Sequence, residues 1–307
     1  MKIKILSLFS GIGAFEKALK RIDVDVDVVK YCEIDKHASK AYSLIHNVPE
    51  NMNLGDIATI DTSTLPKDID LITYGFPCQD ISNAGKQKGF EHEGERTRSG
   101  LFFEALRIIE DTQPKFAIAE NVKNLTSKRF ANEFKIVLDS LEEAGYVNYW
   151  KVLNAKDYGI PQNRERVFII SIRKNIDHGF EFPEPFELEL RLKDMLEETV
   201  DEKFYVSDER MSAIVAHKER NMANGNGFGA RFVDGNDVAS TIATSPDKSA
   251  GQYLKIIEAT KKGYAEAEEG DFVNIGMPNS QTRRGRVGKG ISNTLTTMQE
   301  GAVVVDE

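Results

Sequence analysis

The first 175 residues alternate short apolar runs with segments whose apolar residues recur at three- and four-residue spacing, and this rhythm leaves few folds open. The runs Lys4 to Phe9, Asp25 to Tyr31, Leu71 to Tyr74, Phe116 to Glu120, Tyr146 to Leu153 and Arg166 to Ile172 read as strands. Between them Ala14 to Arg21, Lys36 to His46, Leu101 to Asp111 and Ala131 to Ala144 read as helices. A strand buries both faces only when helices cover both. The succession therefore predicts an α/β domain, a doubly wound and mostly parallel sheet whose ligands sit at the carboxyl ends of the strands.

The character changes between Asn175 and Pro185, where Phe180-Glu181-Phe182-Pro183-Glu184-Pro185 reads as a linker. Residues 1–175 are expected to form the catalytic and cofactor-binding domain, and residues 176–307 a smaller, irregular, β-rich second domain. In the latter, Val238 to Thr244 and Gly290 to Thr297 resemble each other as short Ser/Thr-rich strands, too few for a repeat array. The net charge of −9 arises there, since residues 1–175 carry 25 basic and 25 acidic side chains and 176–307 carry 15 and 24. An overall basic footprint for nucleic acid is absent. One local stretch, Arg283-Arg284-Gly285-Arg286-Val287-Gly288-Lys289, is basic and glycine-spaced and suits phosphates, a solvated face being the plainer alternative.

Two cysteines, Cys32 and Cys78, have no metal-ligand spacing, which argues against a disulfide framework or a metal site and for a reducing, cytoplasmic compartment. Gly11 and Gly13 interrupt the apolar N-terminal stretch, and Glu16, Lys17 and Lys20 follow, so it reads as strand, turn and helix rather than a leader. No apolar run approaches the roughly 20 residues that cross a membrane.

The chemistry concentrates at the strand ends. Cys78, in Gly75-Phe76-Pro77-Cys78-Gln79-Asp80, lies between a turn and polar residues rather than inside a periodic apolar segment, as a nucleophile presented to a ligand would. The first strand runs into Phe9-Ser10-Gly11-Ile12-Gly13, a glycine turn opening a helix. The dinucleotide fingerprint fails because Glu16 stands where its third glycine belongs, so a cofactor without phosphates and with positive charge suits the turn better. Glu33 follows the second strand, where an acid grips ribose hydroxyls. Asp56 suits an adenine amino group with Ile57 packed on the ring, its plainer role being a turn cap. Glu120 ends an apolar strand, where burial would favour its protonated form. Pro161-Gln162-Asn163-Arg164-Glu165-Arg166 precedes a strand, and at two-residue spacing Arg164 and Arg166 would point the same way.

Taken in order, Phe9-Ser10-Gly11-Ile12-Gly13, Glu33, Gly55-Asp56-Ile57, Pro77-Cys78-Gln79, Glu120-Asn121-Val122 and Gln162-Asn163-Arg164-Glu165-Arg166 resemble the DNA cytosine-5 methyltransferase family over residues 1–175. The resemblance implies S-adenosyl-L-methionine as cofactor, double-stranded DNA as partner, and a restriction-modification or phage-borne setting. It implies catalytic roles for Cys78, Glu120, Arg164 and Arg166, with Cys78 adding to cytosine C6 and Glu120 serving N3. It implies cofactor contacts from Phe9, Ser10, Gly11, Gly13, Glu33, Ile34, Asp56, Ile57, Gly75 and Pro77. DNA contacts are expected from Gln79, Ser82, Arg98, Arg283, Arg284 and Arg286, and Gly85 to Ser99 reads as a mobile loop closing over DNA. The second domain becomes the target-recognition region.

The family's later Arg-x-Leu-x-Pro-Arg-Glu-like segment and Gly-Asn-Ser helix are not found, so the expectation is either a truncated polypeptide or a complementing C-terminal chain. Two competing readings follow: a tRNA cytosine-5 methyltransferase sharing Cys78, Glu120 and the arginine pair, and a catalytically incomplete DNA-binding subunit that needs a partner.

Overall fold

In the computed structural model the chain begins with β1 (Ile3–Leu8), α1 (Ala14–Arg21), β2 (Val26–Cys32), α2 (Lys36–His46) and β3 (Leu71–Tyr74). A short hairpin of β4 (Glu91–His92) and β5 (Glu95–Arg96) precedes α3 (Phe102–Thr112), β6 (Phe116–Val122), α4 (Ala131–Glu143), β7 (Tyr146–Asn154), β8 (Gln162–Asn163) and β9 (Glu165–Arg173). The structure describes residues 2–77, 90–92, 95–96, 98–197, 206, 208–225, 229–241, 252–254, 272–274, 287–288 and 301–303.

Six strands form one sheet in the order β2-β1-β3-β6-β9-β7. The pairs β1–β2, β1–β3 and β3–β6 are parallel, and β9 runs antiparallel to β6 with Glu120 opposite Phe168 and Val122 opposite Arg166. This is the mixed, mostly parallel α/β sheet expected, with each strand and helix read in residues 1–175 found within two residues of its reading. Of the strand read at Val238 to Thr244, Ala239–Ser240 is strand among the described residues, and Gly290 to Thr297 lies outside them.

The central strands are apolar because both of their faces are covered, and β3 is buried at all four positions. Where polar residues enter the core they satisfy one another: Ser7 of β1 lies opposite Thr73 of β3, with their hydroxyls 3.2 Å apart. The core joins Leu6, Leu8, Ile72, Ala117, Ala119, Val167 and Ile169 of the sheet to Phe102, Ile108 and Ile109 of α3 and Val137 and Leu141 of α4. Capping sets the helix limits. Asp35 accepts from the backbone N–H of His37 and Ala38 at the start of α2, while α3 stops at Gln113 in the left-handed region, with Pro114 next.

The chain divides into two units, Met1–Leu153 with Glu165–Glu184, and Asn154–Arg164 with Pro185–Glu307. Residues 176–184 stay with the first unit because Phe180 packs against Tyr149 at 5.8 Å and the Tyr149 hydroxyl donates to Asp177 at 2.9 Å. In the second unit, α5 (Asp208–Ala223) is followed by β10 (Arg231–Val233), β11 (Ala239–Ser240) and β12 (Gln252–Leu254). There β8 pairs with β11, and Phe186 meets Tyr158 edge-on at 6.2 Å. The strands β13 (Phe272–Asn274), β14 (Val287–Gly288) and β15 (Gly301–Val303) form an antiparallel sheet with β13 in the centre. No helix among the described residues is long and apolar enough to cross a membrane.

Candidate active site

The carboxyl ends of β1, β2, β3 and β6 bring two groups of expected residues together within the first unit. The first surrounds the turn after β1. Phe9, Gly11 and Gly13 all have positive φ, and the Ser10 N–H donates to the Cys32 carbonyl at 3.0 Å, which bends the chain across the end of β2. Gly13 is required twice over: its φ is +82°, and a Cβ there would stand 2.1 Å from His46 Nε2. Glu16 is fully buried and accepts the Tyr42 hydroxyl at 2.8 Å, so its charge is turned into the interior.

Glu33, just past β2, holds its carboxylate in a defined direction. One oxygen accepts the Gly11 N–H and the other the Asp35 N–H, both at 2.8 Å, and each keeps a lone pair free of these bonds for further donors. Ile34 beside it is 72% exposed, an apolar side chain standing open next to the acid. Asp56 caps the turn Ile57–Thr59 by accepting the Ala58 N–H at 3.0 Å, the plainer of its two expected roles. Ile57 is buried in the core cluster, so the exposed apolar group at this rim is Ile34. A directed carboxylate, an exposed apolar side chain and a glycine turn without the dinucleotide fingerprint fit a nucleoside-bearing, cationic cofactor.

Sequence reasoning passed over Asn53, which connects these pieces by four side-chain hydrogen bonds. It also passed over Arg107 of α3, whose guanidinium donates to the carbonyls of Ile57 and Ile60 and pairs with Glu104. Residue type and spacing do not reveal these links, because Asn53 meets the backbone of Glu33 and Arg107 the carbonyls of Ile57 and Ile60, in segments distant in sequence.

The second group lies where β3 ends in Gly75-Phe76-Pro77, directly before Cys78. Phe76 is buried among Phe90 and Phe102, at ring separations of 6.2 and 5.5 Å. Its carbonyl accepts the Asn121 side-chain N–H at 3.2 Å, so a buried amide from β6 holds the backbone two residues before the cysteine. A Cβ on Gly75 would lie 3.7 Å from a carboxylate oxygen of Glu120, which places that carboxylate over the same backbone. Glu120 pairs with Arg166 of β9 at 3.0 Å, and Glu165 pairs with Lys123 at 2.7 Å.

One expectation is corrected here: the Glu120 side chain is 27% exposed and faces a guanidinium instead of lying buried in apolar surroundings. Arg164 lies just before β9, which starts at Glu165, and belongs to the second unit, where its N–H donates to Asn154. Cys78, Gln79, Ser82, Arg283, Arg284 and Arg286 lie outside the described residues, as does much of Gly85 to Ser99. The backbone of Arg98 opens the short turn Arg98–Leu101. Cys32 is a buried thiol donating to the Gly55 carbonyl at 3.0 Å, and burial pushes its pKa up to about 12.

The family model described as C-5 cytosine-specific DNA methylase matches residues 3–293. The orphan methyltransferase M.SPRI of Bacillus phage SPR is 35% identical over 305 residues, covering 85% of this chain and 67% of the relative. The type II methyltransferase M.NlaX of Neisseria lactamica is 38% identical over 226 residues, covering 74% and 70%. Among solved structures, a DNMT2 variant of Spodoptera frugiperda superposes with a TM-score of 0.63 at 23% identity over 81% of this chain and 72% of that one, a likeness of fold. With a family match that spans nearly its whole length, the chain belongs to the C-5 cytosine-specific DNA methylases, enzymes that methylate cytosine at C5 in DNA.

Proposed function

We propose that this chain methylates a cytosine flipped out of double-stranded DNA through a covalent bond between Cys78 and C6 of the base. The observation that supports the reading most directly is the Glu120 carboxylate, paired with Arg166, lying beside Gly75, three residues before the cysteine. Cytosine C5 is a weak nucleophile, and adding the Cys78 thiolate to C6 makes C5 an enamine-like carbon. Glu120 serves N3 as proton or hydrogen-bond donor, and Arg166 holds Glu120 in register. Arg164 is assigned to the base oxygen. After methyl transfer a base removes the C5 proton and the thiolate leaves, which restores the aromatic ring and frees Cys78. Neither C5 nor C6 is reachable inside a duplex, so the base must leave the stack.

Phe9, Ser10, Gly11, Gly13, Glu33, Ile34, Asp56, Gly75 and Pro77 would hold S-adenosyl-L-methionine, with Glu33 on the ribose and Ile34, in place of the buried Ile57, against the adenine. When bound, this cofactor supplies an electrophilic methyl group. Gln79, Ser82, Arg98, Arg283, Arg284 and Arg286 are assigned to DNA, residues 176–307 to target recognition, and the setting to the cytoplasm of a bacterium or of a phage-infected cell.

The test is incubation with labelled S-adenosylmethionine and DNA containing 5-fluorocytosine, which traps the adduct because fluorine cannot be removed as a proton. A labelled covalent complex that disappears in Cys78→Ala is expected, with none on tRNA. An adduct on tRNA and none on DNA would reassign the substrate. DNA binding with no adduct would overturn catalysis by this chain alone and favour a complementing chain.

A further inference from the structure

We propose that Asn53 is a positioning residue for the cofactor: its carboxamide sets the spacing between the ribose-side acid Glu33 and the adenine-side turn Gly55-Asp56-Ile57, and thereby the affinity for S-adenosylmethionine. The inference rests on the reading of Glu33 and Asp56 given above.

Beyond the end of β2 the two segments have little backbone pairing. The chain returns beside β2 through a single parallel bridge between Tyr31 and Asn53 and the Leu54 N–H donated to the Tyr31 carbonyl at 2.8 Å. Past that point the side chain of Asn53 takes over. Its Oδ1 accepts the N–H of Glu33 and the N–H of Gly55, both at 3.0 Å. Its Nδ2 donates to the Glu33 carbonyl and to Ser39 Oγ, both at 2.9 Å.

Two acceptor sites and two N–H groups are all that a carboxamide offers in its plane, and each is used. The orientation is thereby determined, since a flipped amide would set its NH₂ against two N–H donors. No other side chain reproduces the set. Aspartate lacks the donors, and glutamine carries its amide one methylene further out.

The consequence for the site is geometric. Glu33 is gripped at both its N–H and its C=O, which fixes its backbone torsions and hence the direction of the carboxylate that also meets Gly11. Gly55 is gripped at its N–H by Asn53 and at its C=O by the Cys32 thiol, and this holds a backbone at φ +72° that would otherwise be free to vary. Ser39 continues the link to the buried Tyr31 hydroxyl at 3.0 Å, which anchors the bridge to α2. One amide thus couples Glu33 and Gly55, 22 residues apart in sequence, to the helix between them. The competing role is that of a residue that merely stabilises the fold, so the test must read cofactor affinity apart from stability.

The full chain is titrated calorimetrically with S-adenosylhomocysteine and assayed at varied S-adenosylmethionine. Asn53→Ala is expected to raise the Kd and the cofactor KM by about tenfold to a hundredfold. At saturation kcat should stay within about threefold of wild type, and the KM for DNA within about twofold. Asn53→Asp keeps both acceptor contacts and should fall between, while Ser39→Ala, which removes one outer partner, should raise the Kd less than either. If Asn53→Ala does not fold, the order of the other two variants carries the test. Folded Asn53→Ala or Asn53→Asp protein with a Kd within about twofold of wild type would overturn the inference. Wild-type protein that binds no S-adenosylhomocysteine would overturn the cofactor assignment itself, a separate outcome.

Discussion

Arg166 and Glu120 have side chains 17% and 27% exposed, so their 3.0 Å pair is largely shielded from water, and removing one partner leaves the other poorly compensated. Arg166→Ala should lower kcat by about a hundredfold and unfolding free energy by about 1 to 3 kcal/mol, read by steady-state kinetics and urea denaturation. Arg166→Lys should recover only part of kcat, because an ammonium lacks the guanidinium fork. The other cysteine behaves differently. Burial first, then the nearby Glu33 and Asp56 carboxylates, push the Cys32 thiol from 9.0 up to about 12. The unfolded thiol ionises near its ordinary value and the native one resists, so this group's contribution to stability is complete below pH 9 and is lost as pH rises toward 12. Urea midpoints should fall across that window, and Cys32→Ala should flatten the decline. Alkylation of folded protein at pH 8, mapped by mass spectrometry, should mark Cys78 and spare Cys32.

At the scale of elements, two glycines in the cofactor turns separate two physical reasons for the same residue. Gly13 caps α1 at φ +82° and touches the His46 ring, whereas Gly55 has φ +72° and open space around its would-be Cβ. Gly55→Ala should therefore cost only the left-handed backbone, about 1 to 2 kcal/mol. Gly13→Ala adds a steric clash that must move His46, whose Nε2 lies 2.9 Å from the Ile12 carbonyl, and should cost roughly twice as much and weaken cofactor binding. Thermal unfolding of both variants checks the order. The strands and helices themselves were readable because periodicity reports local geometry. The exception is instructive. The two-residue spacing of Arg164 and Arg166 does not reveal that β9 begins between them, at Glu165, or that the two-residue strand β8 just before it pairs with β11.

For the whole molecule, the distribution of charge decides how DNA can be held. Residues 176–307 carry 15 basic and 24 acidic side chains, so the DNA contacts proposed for this region rest on local clusters rather than a general field. Replacing Arg283, Arg284 and Arg286 by alanine should weaken DNA binding and lower the slope of log K against log salt by about 2 to 3, measured by fluorescence anisotropy at several salt concentrations. An unchanged slope would remove these residues from the interface. The division of the chain also has a consequence for where a gene can be cut. Asn154–Arg164 belongs with the second unit, so a cut at residue 175 or 184 separates β8 from its partner β11.

The amino-acid sequence by itself determined the α/β class and the order of the strands along the chain, and it supplied the reactive groups named in the proposal. Apolar periodicity, glycine turns and the ordered motifs around Cys78, Glu33 and Glu120 are local properties of a chain. Only the tertiary structure decided that Glu120 is paired with Arg166 rather than buried, that Ile57 packs inward while Ile34 stands open, and that Asn53 joins Glu33 to Gly55. Each of those depends on atoms brought together from distant segments, and burial and hydrogen bonding are properties of that assembly which no single stretch of sequence contains.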